Sequence, residues 1–518
     1  MRLSGRSRHR VGLVAVLALL LAACGGGGGS LGGGESDGAA DDDRTDGEAQ
    51  DQQDQEEDEE ERGTLPYDET IEVFVADLQV YWAELMPEVY GEQYEPIPEE
   101  NLIAFERGDP DVECGGVEIS YDELEGNAFY CDTDDLIVWD NDQLFPELYD
   151  RYGGFVIGLT LAHEWGHAIQ ARVGVLEEDI VVEQMADCSA GAWVQHVEAG
   201  ESDEFDLDQL GTLDAALSGF LQYRDPPGYQ PDQPGAHGSA FDRVNAFQEG
   251  FEQEEERCAE YPDDPPAVVA LGFGSQDDFE SGGNLAYEEI FDLLITDLDA
   301  YWSDEIDDYD SIDDLEPYDV DDGDELPQCG DEDVDPDQYE ETAFYCAEDH
   351  FIAWDDEYLE DLYDATGDLG PAVLLANAYS SAVQAALEVE GERREIGLQA
   401  DCLSGSWVGS VPPIGTRDEA EIFLSPGDLD EVVQALLLEG GAALDDIEPG
   451  NEDVIAGVSR GTDEGTDGGG DEGDETDDGD EGDEGNEQRE DAASAFERVQ
   501  TFRTGFFDGV DSCLDLVE

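Results

Sequence analysis

Lysine is absent from this 518-residue chain, so its 19 basic residues are all arginines. They stand against 139 acidic residues, and the formal net charge is −120. Nucleic-acid binding requires a cationic surface that neutralises phosphates, so this composition excludes a general nucleic-acid partner. The acidic excess instead favours a surface that stays hydrated in salt, where its self-repulsion is screened. We therefore expect a protein of a salt- or alkali-adapted, halophilic bacterium.

Two further absences concern cysteine pairs and long apolar runs. No CxxC pair occurs among the nine cysteines, which argues against zinc–cysteine sites. The apolar run over residues 11–22 is too short to span a bilayer. It follows an arginine-rich start and ends in Leu-Ala-Ala-Cys, which resembles a bacterial lipobox. We predict a signal peptide over 1–23 and a lipid on Cys24 that anchors the protein to the extracytoplasmic face of the cell membrane.

Two segments are nearly devoid of apolar residues. Residues 24–66 consist mostly of Gly, Asp, Glu and Gln, and 461–488 of Gly, Asp, Glu and Thr. Such chains cannot bury enough apolar surface to offset the entropy of folding. We predict a disordered tether over 24–66 and a disordered acidic insert over 461–488. Weak binding of divalent cations by the insert is the alternative that its composition leaves open.

The pattern His163-Glu164-Trp165-Gly166-His167 lies in an apolar-periodic, proline-free stretch. On a helix, histidines at i and i+4 share one face and can hold one Zn²⁺. The intervening Glu164 then lies where it can accept a proton from the metal-bound water. We predict His163 and His167 as zinc ligands and Glu164 as the catalytic base. The alternative is an ordinary buried amphipathic helix.

A third ligand is expected, because catalytic zinc takes three protein ligands and keeps one position open. Glu183, on the next predicted helix, completes a His₂Glu set. Asp187 follows one turn later and is expected to accept the free ring N–H of a liganding histidine. The alternative for both residues is that they are surface acids of an acidic chain.

These residues resemble a known family. HEWGHAIQ, then E-x-x-A-D-C-x-A-G-x-W from Glu183, then His237-Gly238-Ser239-Ala240 and Arg243 resemble the putative neutral zinc metallopeptidases of bacteria. The resemblance covers about residues 71–258. It implies zinc on His163, His167 and Glu183, with Glu164 as the catalytic base.

The second part of the chain repeats the first at a nearly constant offset. Asn-Ala-Phe-Tyr-Cys ending at Cys131 matches Thr-Ala-Phe-Tyr-Cys ending at Cys346, and Ala-Asp-Cys ending at Cys188 matches the same tripeptide ending at Cys402. We predict a metallopeptidase domain over 67–260, a linker over 261–284 and a repeat of the domain over 285–518. We call 67–260 the first half and 285–518 the second half.

The second half lacks the residues predicted to bind zinc in the first half. The positions of His163, His167 and Glu183 are taken by Asn377, Ser381 and Gly397, none of which replaces a zinc ligand. Apolar and cysteine positions survive instead. We predict a folded second half that binds a peptide or docks on the first half without cleaving; a mere spacer is the alternative.

Eight cysteines remain once Cys24 is lipidated, four in each half, and four cysteines allow three pairings. One pair keeps its separation in both halves, while the other accommodates the acidic insert. This comparison favours four disulfides. They are Cys114–Cys131, Cys188–Cys258, Cys329–Cys346 and Cys402–Cys513.

Apolar residues recur at helical spacing through much of the first half, which predicts a mostly helical α+β domain. The stretches are 69–87, 144–174, 179–200, 207–222 and 239–260. A strand pair is predicted between Phe129 and Trp139, where two alternating segments are separated by turn residues. The zincin resemblance places such a strand beside the active-site cleft, where its edge would bind an extended peptide.

The function predicted from these residues is zinc-dependent hydrolysis of peptide bonds in a peptide or protein substrate. An oxyanion donor is also needed, and His237 is the candidate, with a structural helix-cap role as the alternative. A different class of function is a non-catalytic cell-surface binding protein that retains a structural zinc. The natural substrate and the oligomeric state are left open.

Overall fold

The computed structural model describes residues 65–175, 180–202, 212–233, 235–306, 309–312, 314–320, 326–330, 339–413, 422–439 and 493–517. The predicted signal peptide, Cys24, all but the last two residues of the predicted tether, and the acidic insert lie outside these residues. Among the described residues, no helix combines the length and the apolarity that crossing a membrane requires.

The first half is mostly helical, with two small sheets, as predicted. Its elements are α1 (Tyr67–Val89), β1 (Leu102–Phe105), β2 (Val112–Cys114), β3 (Val117–Ile119), α2 (Tyr121–Leu124), β4 (Ala128–Cys131), β5 (Leu136–Asp140), α3 (Leu144–Tyr152), α4 (Phe155–Val173), α5 (Ile180–Glu198), α6 (Leu213–Phe220) and α7 (Ala240–Glu260). The short α8 (Gln276–Glu280) lies in the linker.

One apolar stretch forms two helices rather than one. The stretch 144–174 is broken at Gly153, whose φ of 78° is a left-handed conformation that glycine adopts without steric cost. Helix α4 starts two residues later and ends before Gly174, whose φ is 81°. The hydrophobic period is the same on both sides of the break, so the pattern alone does not reveal it.

The predicted strand pair is present as β4 and β5. They run antiparallel, with Phe129 opposite Val138, while β1 runs parallel to β5 on its other side. The strand order β1-β5-β4 makes β4 an edge strand, and β4 contacts α4. The edge of the sheet therefore lies beside the helix that carries His163 and His167.

The second half has the same order of elements around its own sheet. They are α9 (Tyr287–Glu305), β6 (Asp314–Tyr318), β7 (Ala343–Cys346), β8 (Phe351–Asp355), α10 (Asp356–Thr366), α11 (Leu369–Ala386), α12 (Arg393–Ser410), α13 (Asp428–Glu439), α14 (Ala495–Asp508) and α15 (Val510–Leu514). Strand β6 runs parallel to β8 and β7 antiparallel to it, in the order β6-β8-β7. This is the arrangement of β1, β5 and β4.

Four disulfides confirm the predicted pairing. Cys114–Cys131 and Cys329–Cys346 each close a loop of 17 residues. Cys188–Cys258 spans 70 residues and Cys402–Cys513 spans 111. The longer bridge joins α5 to the C-terminal end of the first half, and the corresponding bridge joins α12 to the C-terminal end of the second half.

Helices α5 and α7 approach very closely. A Cβ atom placed on Gly191 would overlap the backbone carbonyl of Phe247, and one on Gly250 would overlap that of Cys188. Larger residues at these two positions would force the helices apart and would strain the nearby Cys188–Cys258 bridge.

The two halves share one hydrophobic core. At their contact, the ring centroids of Phe251 and Phe496 lie 4.9 Å apart, and those of Phe241 and Phe506 lie 5.0 Å apart. Arg503 of the second half forms an ion pair with Glu252 of the first at 2.8 Å. Helices α7 and α14 therefore carry much of this contact.

Candidate metal centre

Three side chains converge between α4 and α5. His163 Nε2 lies 3.1 Å from His167 Nε2, and Glu183 Oε2 lies 3.4 Å from the former and 3.3 Å from the latter. The three atoms form a nearly equilateral triangle. Two histidines one turn apart on α4 supply two corners, and the first turn of α5 supplies the third.

This triangle fits zinc. A tetrahedral zinc ion with ligands at about 2.0–2.1 Å has ligands about 3.3–3.4 Å from one another. Glu183 Oε2 is buried and, among the described residues, accepts no hydrogen bond, as expected for an atom whose partner is a metal ion. The donor set of two imidazole nitrogens and one carboxylate oxygen also matches catalytic zinc sites.

Asp187 orients His163. The Nδ1–H of His163 donates to Asp187 Oδ1 at 2.7 Å, which directs Nε2 towards His167 and Glu183. The guanidinium of Arg243 binds the same carboxylate with two hydrogen bonds, from Nε at 3.0 Å and from Nη2 at 2.8 Å. Burial favours the neutral acid, but Arg243 and His163 hold the pKa of Asp187 below its usual range. The carboxylate is therefore charged and fixed.

His167 is oriented in a similar way by Gln170. The Nδ1–H of His167 donates to Gln170 Oε1 at 3.1 Å, and the Gln170 amide donates to the carbonyl of Val182 at 2.7 Å. This side chain thus ties the second histidine to the start of the helix that carries Glu183. In both histidines Nδ1 forms a hydrogen bond, and the two Nε2 atoms lie close together near Glu183.

The site concentrates charge where little water reaches. Burial lowers the pKa of His163, but the Asp187 carboxylate and then Glu183 outweigh it and raise that pKa to about 10. Burial likewise opposes ionisation of Glu183, yet the two histidines hold its pKa well below its usual range. Glu164 is also buried, with 6% of its surface exposed. A cation is therefore the favoured occupant of this site.

His237 lies beside the triangle rather than in it. Its Nε2 is 3.8 Å from Glu183 Oε2, and its Nδ1 is 3.8 Å from Asp225 Oδ1. Among the residues that the structure describes, the group of ligand atoms at this site that lie within 4.8 Å of one another consists of His163, His167 and Glu183. The His237 side chain is 45% exposed, and the helix cap that was its alternative role belongs to Ser239, which accepts from the Asp242 amide. His237 therefore faces the open side of the site.

The second half keeps the frame of this site without its ligands. Arg498 binds Asp401 with two hydrogen bonds of 2.9 Å, as Arg243 binds Asp187. Asn377 donates to Asp401 Oδ1 at 2.9 Å in the place of His163. Gly397 brings no side chain where Glu183 stands in the first half.

Sequence reasoning did not assign roles to Arg243, Gln170 and Asp225. A signal was present for two of them, because Arg243 and Gln170 recur as Arg498 and Gln384 in the second half. Repetition in a half without zinc ligands marks these residues as parts of the frame. Asp225 carries no such signal, since its contact with His237 depends on how a loop is folded.

A helix with two histidines one turn apart, joined by a glutamate from the next helix, defines a metal centre of the zinc-peptidase class. The family model described as putative neutral zinc metallopeptidase matches residues 5–261. The chain belongs to this family, and the match covers the half that carries His163, His167 and Glu183. Neither the curated proteins nor the solved structures gave a match to the chain.

Proposed function

We propose that the first half is a zinc peptidase that hydrolyses peptide bonds, with His163, His167 and Glu183 as its metal ligands. The observation that carries the proposal is the triangle of 3.1, 3.3 and 3.4 Å among the three ligand atoms. A zinc ion bound there would polarise a substrate carbonyl and lower the pKa of a water molecule.

Glu164 is the proposed general base. It lies on α4 between the two liganding histidines and is buried, so its carboxylate is held close to the site and shielded from bulk water. Its role is to accept a proton from the attacking water and to pass it to the leaving amine nitrogen. His237, on the open side, is the proposed donor to the oxygen that becomes negatively charged.

The edge of β4 is the proposed peptide-binding surface. An extended substrate would add to β4 as a further strand, with its backbone hydrogen-bonded to the free edge. This placement is supported by the contact between β4 and the helix α4. Recognition through backbone groups would allow many sequences to bind, so cleavage specificity would come from side-chain pockets along the edge.

The second half is a proposed degenerate copy of the first. The same strand order, the disulfides of 17 residues and the Asp401–Arg498 pair support this. The lipid on Cys24 and the extracytoplasmic location are also proposed, from the N-terminal sequence alone.

The test is hydrolysis of casein or a fluorogenic peptide, measured together with zinc content. Glu164→Gln should retain one zinc per chain and lose hydrolysis by at least about 100-fold, because the amide cannot accept the proton. Glu147→Gln, at an exposed position on α3, is the control and should match wild type. Undiminished turnover by Glu164→Gln would remove this residue from the mechanism. A zinc-loaded wild-type protein that cleaves no substrate would favour a binding protein with a structural zinc.

A further inference from the structure

Three carboxylates converge inside the second half. Asp368 caps the N-terminus of α11, and Asp428 and Glu431 lie one turn apart at the start of α13. One oxygen of each lies within 4.8 Å of the others. Asp428 and Glu431 are only 3% and 5% exposed, so this group differs from the solvated acids that cover the protein.

Backbone amides from three segments hold the carboxylates in place. Asp368 Oδ2 accepts from the Leu285 amide at 2.9 Å, and Asp428 Oδ2 accepts from the Ser425 amide at 2.7 Å. Glu431 Oε2 accepts from the amide of Leu369, also at 2.7 Å. The segment that enters α9, the start of α11 and the loop before α13 therefore meet at these carboxylates.

The other oxygens of two of these groups lack partners. Asp368 Oδ1 and Asp428 Oδ1 are buried and form no hydrogen bond with the described residues. No ion pair of the described part of the chain includes Asp368, Asp428 or Glu431. Carboxylates that crowd together in the interior without a counter-charge are costly, even when a backbone amide binds one oxygen of each. The arrangement requires either protons or a cation.

We propose that Asp368, Asp428 and Glu431 bind one hard divalent cation, Ca²⁺ in preference to Mg²⁺ or Zn²⁺. The donors are all oxygens, whereas the site in the first half offers imidazole nitrogen. Oxygen atoms that all lie within 4.8 Å of one another can bind one calcium ion, whose oxygen ligands lie at about 2.3–2.6 Å. Mg²⁺ requires a tighter octahedron at about 2.0–2.1 Å and usually keeps several waters, which a buried site does not favour.

Two glycines leave room for these carboxylates. Gly367 and Gly427 have φ of 116° and 108° and lie against Glu431. A Cβ atom on Gly367 would overlap the Glu431 carboxylate. The backbone at Gly367 therefore passes the Glu431 carboxylate at a distance that a side chain would prevent.

The site is specific to the second half. By alignment, Asp368, Asp428 and Glu431 correspond to Gly154, Thr212 and Ala215, none of which is acidic. The half that lost the zinc ligands has thus gained a different set. Helix α13 also carries Asp430, which accepts a hydrogen bond from the Phe241 amide of the first half. A cation bound at the start of α13 would therefore stabilise a helix through which the two halves contact each other.

Calcium titration of the full-length protein tests the proposal. The protein is stripped of divalent ions, reloaded with one equivalent of ZnCl₂ and titrated with CaCl₂ by calorimetry in 1 M NaCl, which screens weak surface binding. We expect one calcium site per chain, with a Kd at least tenfold lower than that of the remaining calcium binding. Asp428→Asn/Glu431→Gln should abolish it. Asp361→Asn/Asp364→Asn removes two exposed acids of α10 at the same spacing and should keep it.

Hydrogen exchange on wild-type protein gives a second readout that does not depend on a variant. Calcium should slow exchange of the amides of Leu285, Leu369 and Ser425 and leave the amides of β5 in the first half unchanged. Identical calcium isotherms for wild type and Asp428→Asn/Glu431→Gln would overturn the proposal. A second result would also overturn it: calcium changes neither the hydrogen exchange nor the thermal unfolding of wild type, and Asp428→Asn/Glu431→Gln is more heat-stable than wild type. That result would indicate carboxyl groups that share protons instead of binding a cation. Zinc content is measured in the same samples, so failure of this site is distinguishable from failure of the zinc site.

Discussion

Asp214 and Asp430 occupy equivalent positions in the two halves, and each binds the start of the other half's long C-terminal helix. Asp214 accepts from the amides of Ala495 and Phe496, both at 2.9 Å, and Asp430 accepts from the amide of Phe241 at 3.1 Å. Ala495 and Phe496 repeat the positions of Ala240 and Phe241. The contact between the halves is thus reciprocal, as in a two-fold symmetric dimer whose subunits are joined in one chain.

The two aspartates are expected to differ in their effect on activity. Asp214→Asn and Asp430→Asn each remove a carboxylate that accepts from a backbone amide in the first turn of a helix, and each should lower the free energy of unfolding by about 1 kcal/mol. Asp430 also pairs with Arg224 at 3.4 Å, next to Asp225, which contacts His237. Asp430→Asn should therefore also change kcat/KM on a peptide substrate, several-fold or more, and Asp214→Asn should not. Equal kcat/KM for the two variants would show that the Asp430–Arg224 contact does not affect the proposed zinc site.

Asp187 and Asp401 form a second matched pair. Both are buried beneath a doubly hydrogen-bonded arginine, but Asp187 binds His163, a proposed zinc ligand, whereas Asp401 binds Asn377. Asp187→Asn should weaken zinc binding about 10–100-fold, measured by competition with a chelator. Asp401→Asn should leave zinc binding unchanged and lower only thermal stability. Equal zinc affinity in Asp187→Asn and wild type would contradict the positioning role of Asp187.

Glu255 should make the stability of the protein depend on pH. It is fully buried, accepts from Tyr90 Oη at 2.7 Å and Ser189 Oγ at 3.1 Å, and burial raises its pKa from 4.5 to about 8. Because the folded state holds the proton more tightly than the unfolded state, stability is full below about pH 4.5 and is lost as pH rises towards 8.

Glu255→Gln should remove the loss of stability that wild type shows as pH rises. The free energy of unfolding of the variant, relative to wild type, should increase by up to about 4 kcal/mol between pH 5 and pH 9. Chemical denaturation at several pH values measures it. Glu256→Gln, at an exposed neighbouring position, should show no such trend. A difference between Glu255→Gln and wild type that stays constant with pH would mean that Glu255 is already ionised at pH 5.

The disulfides should differ in their contribution to stability. In the chain-entropy description, the Cys188–Cys258 loop of 70 residues stabilises more than the Cys114–Cys131 loop of 17, by about 4 against about 3 kcal/mol. Replacing each pair by serine and measuring denaturant unfolding gives the two values. A larger loss on removal of Cys114–Cys131 would show that local strain or packing, rather than loop length, decides the contribution.

The meeting of His163 and His167 could be predicted from sequence because a helical period fixes which residues share a face. His163 and His167 meet for that reason, and their spacing carries the chemistry. The pairing of Cys188 with Cys258 followed from comparison of the two repeats. Such inferences depend on local geometry or on internal repetition, both of which are present in one sequence.

Other features depend on contacts between distant segments and leave no pattern. The break at Gly153 divides the apolar-periodic stretch 144–174 into α3 and α4, and the spacing of the apolar residues does not mark this boundary. The reciprocal contacts of Asp214 and Asp430 join residues more than 180 positions apart, 281 and 189 for two of the bonds. In a chain with 139 acidic residues, no composition signal distinguishes these two, or the buried Asp428, from the solvated majority.

The Cys402–Cys513 bridge encloses a loop of 111 residues that contains the whole acidic insert. If a protease cuts any peptide bond within this loop, the two fragments stay covalently joined, and α14 stays attached to α12. Such a nicked protein would migrate as one band without reductant and as two bands with it. The insert can therefore be severed without releasing a piece that the first half contacts.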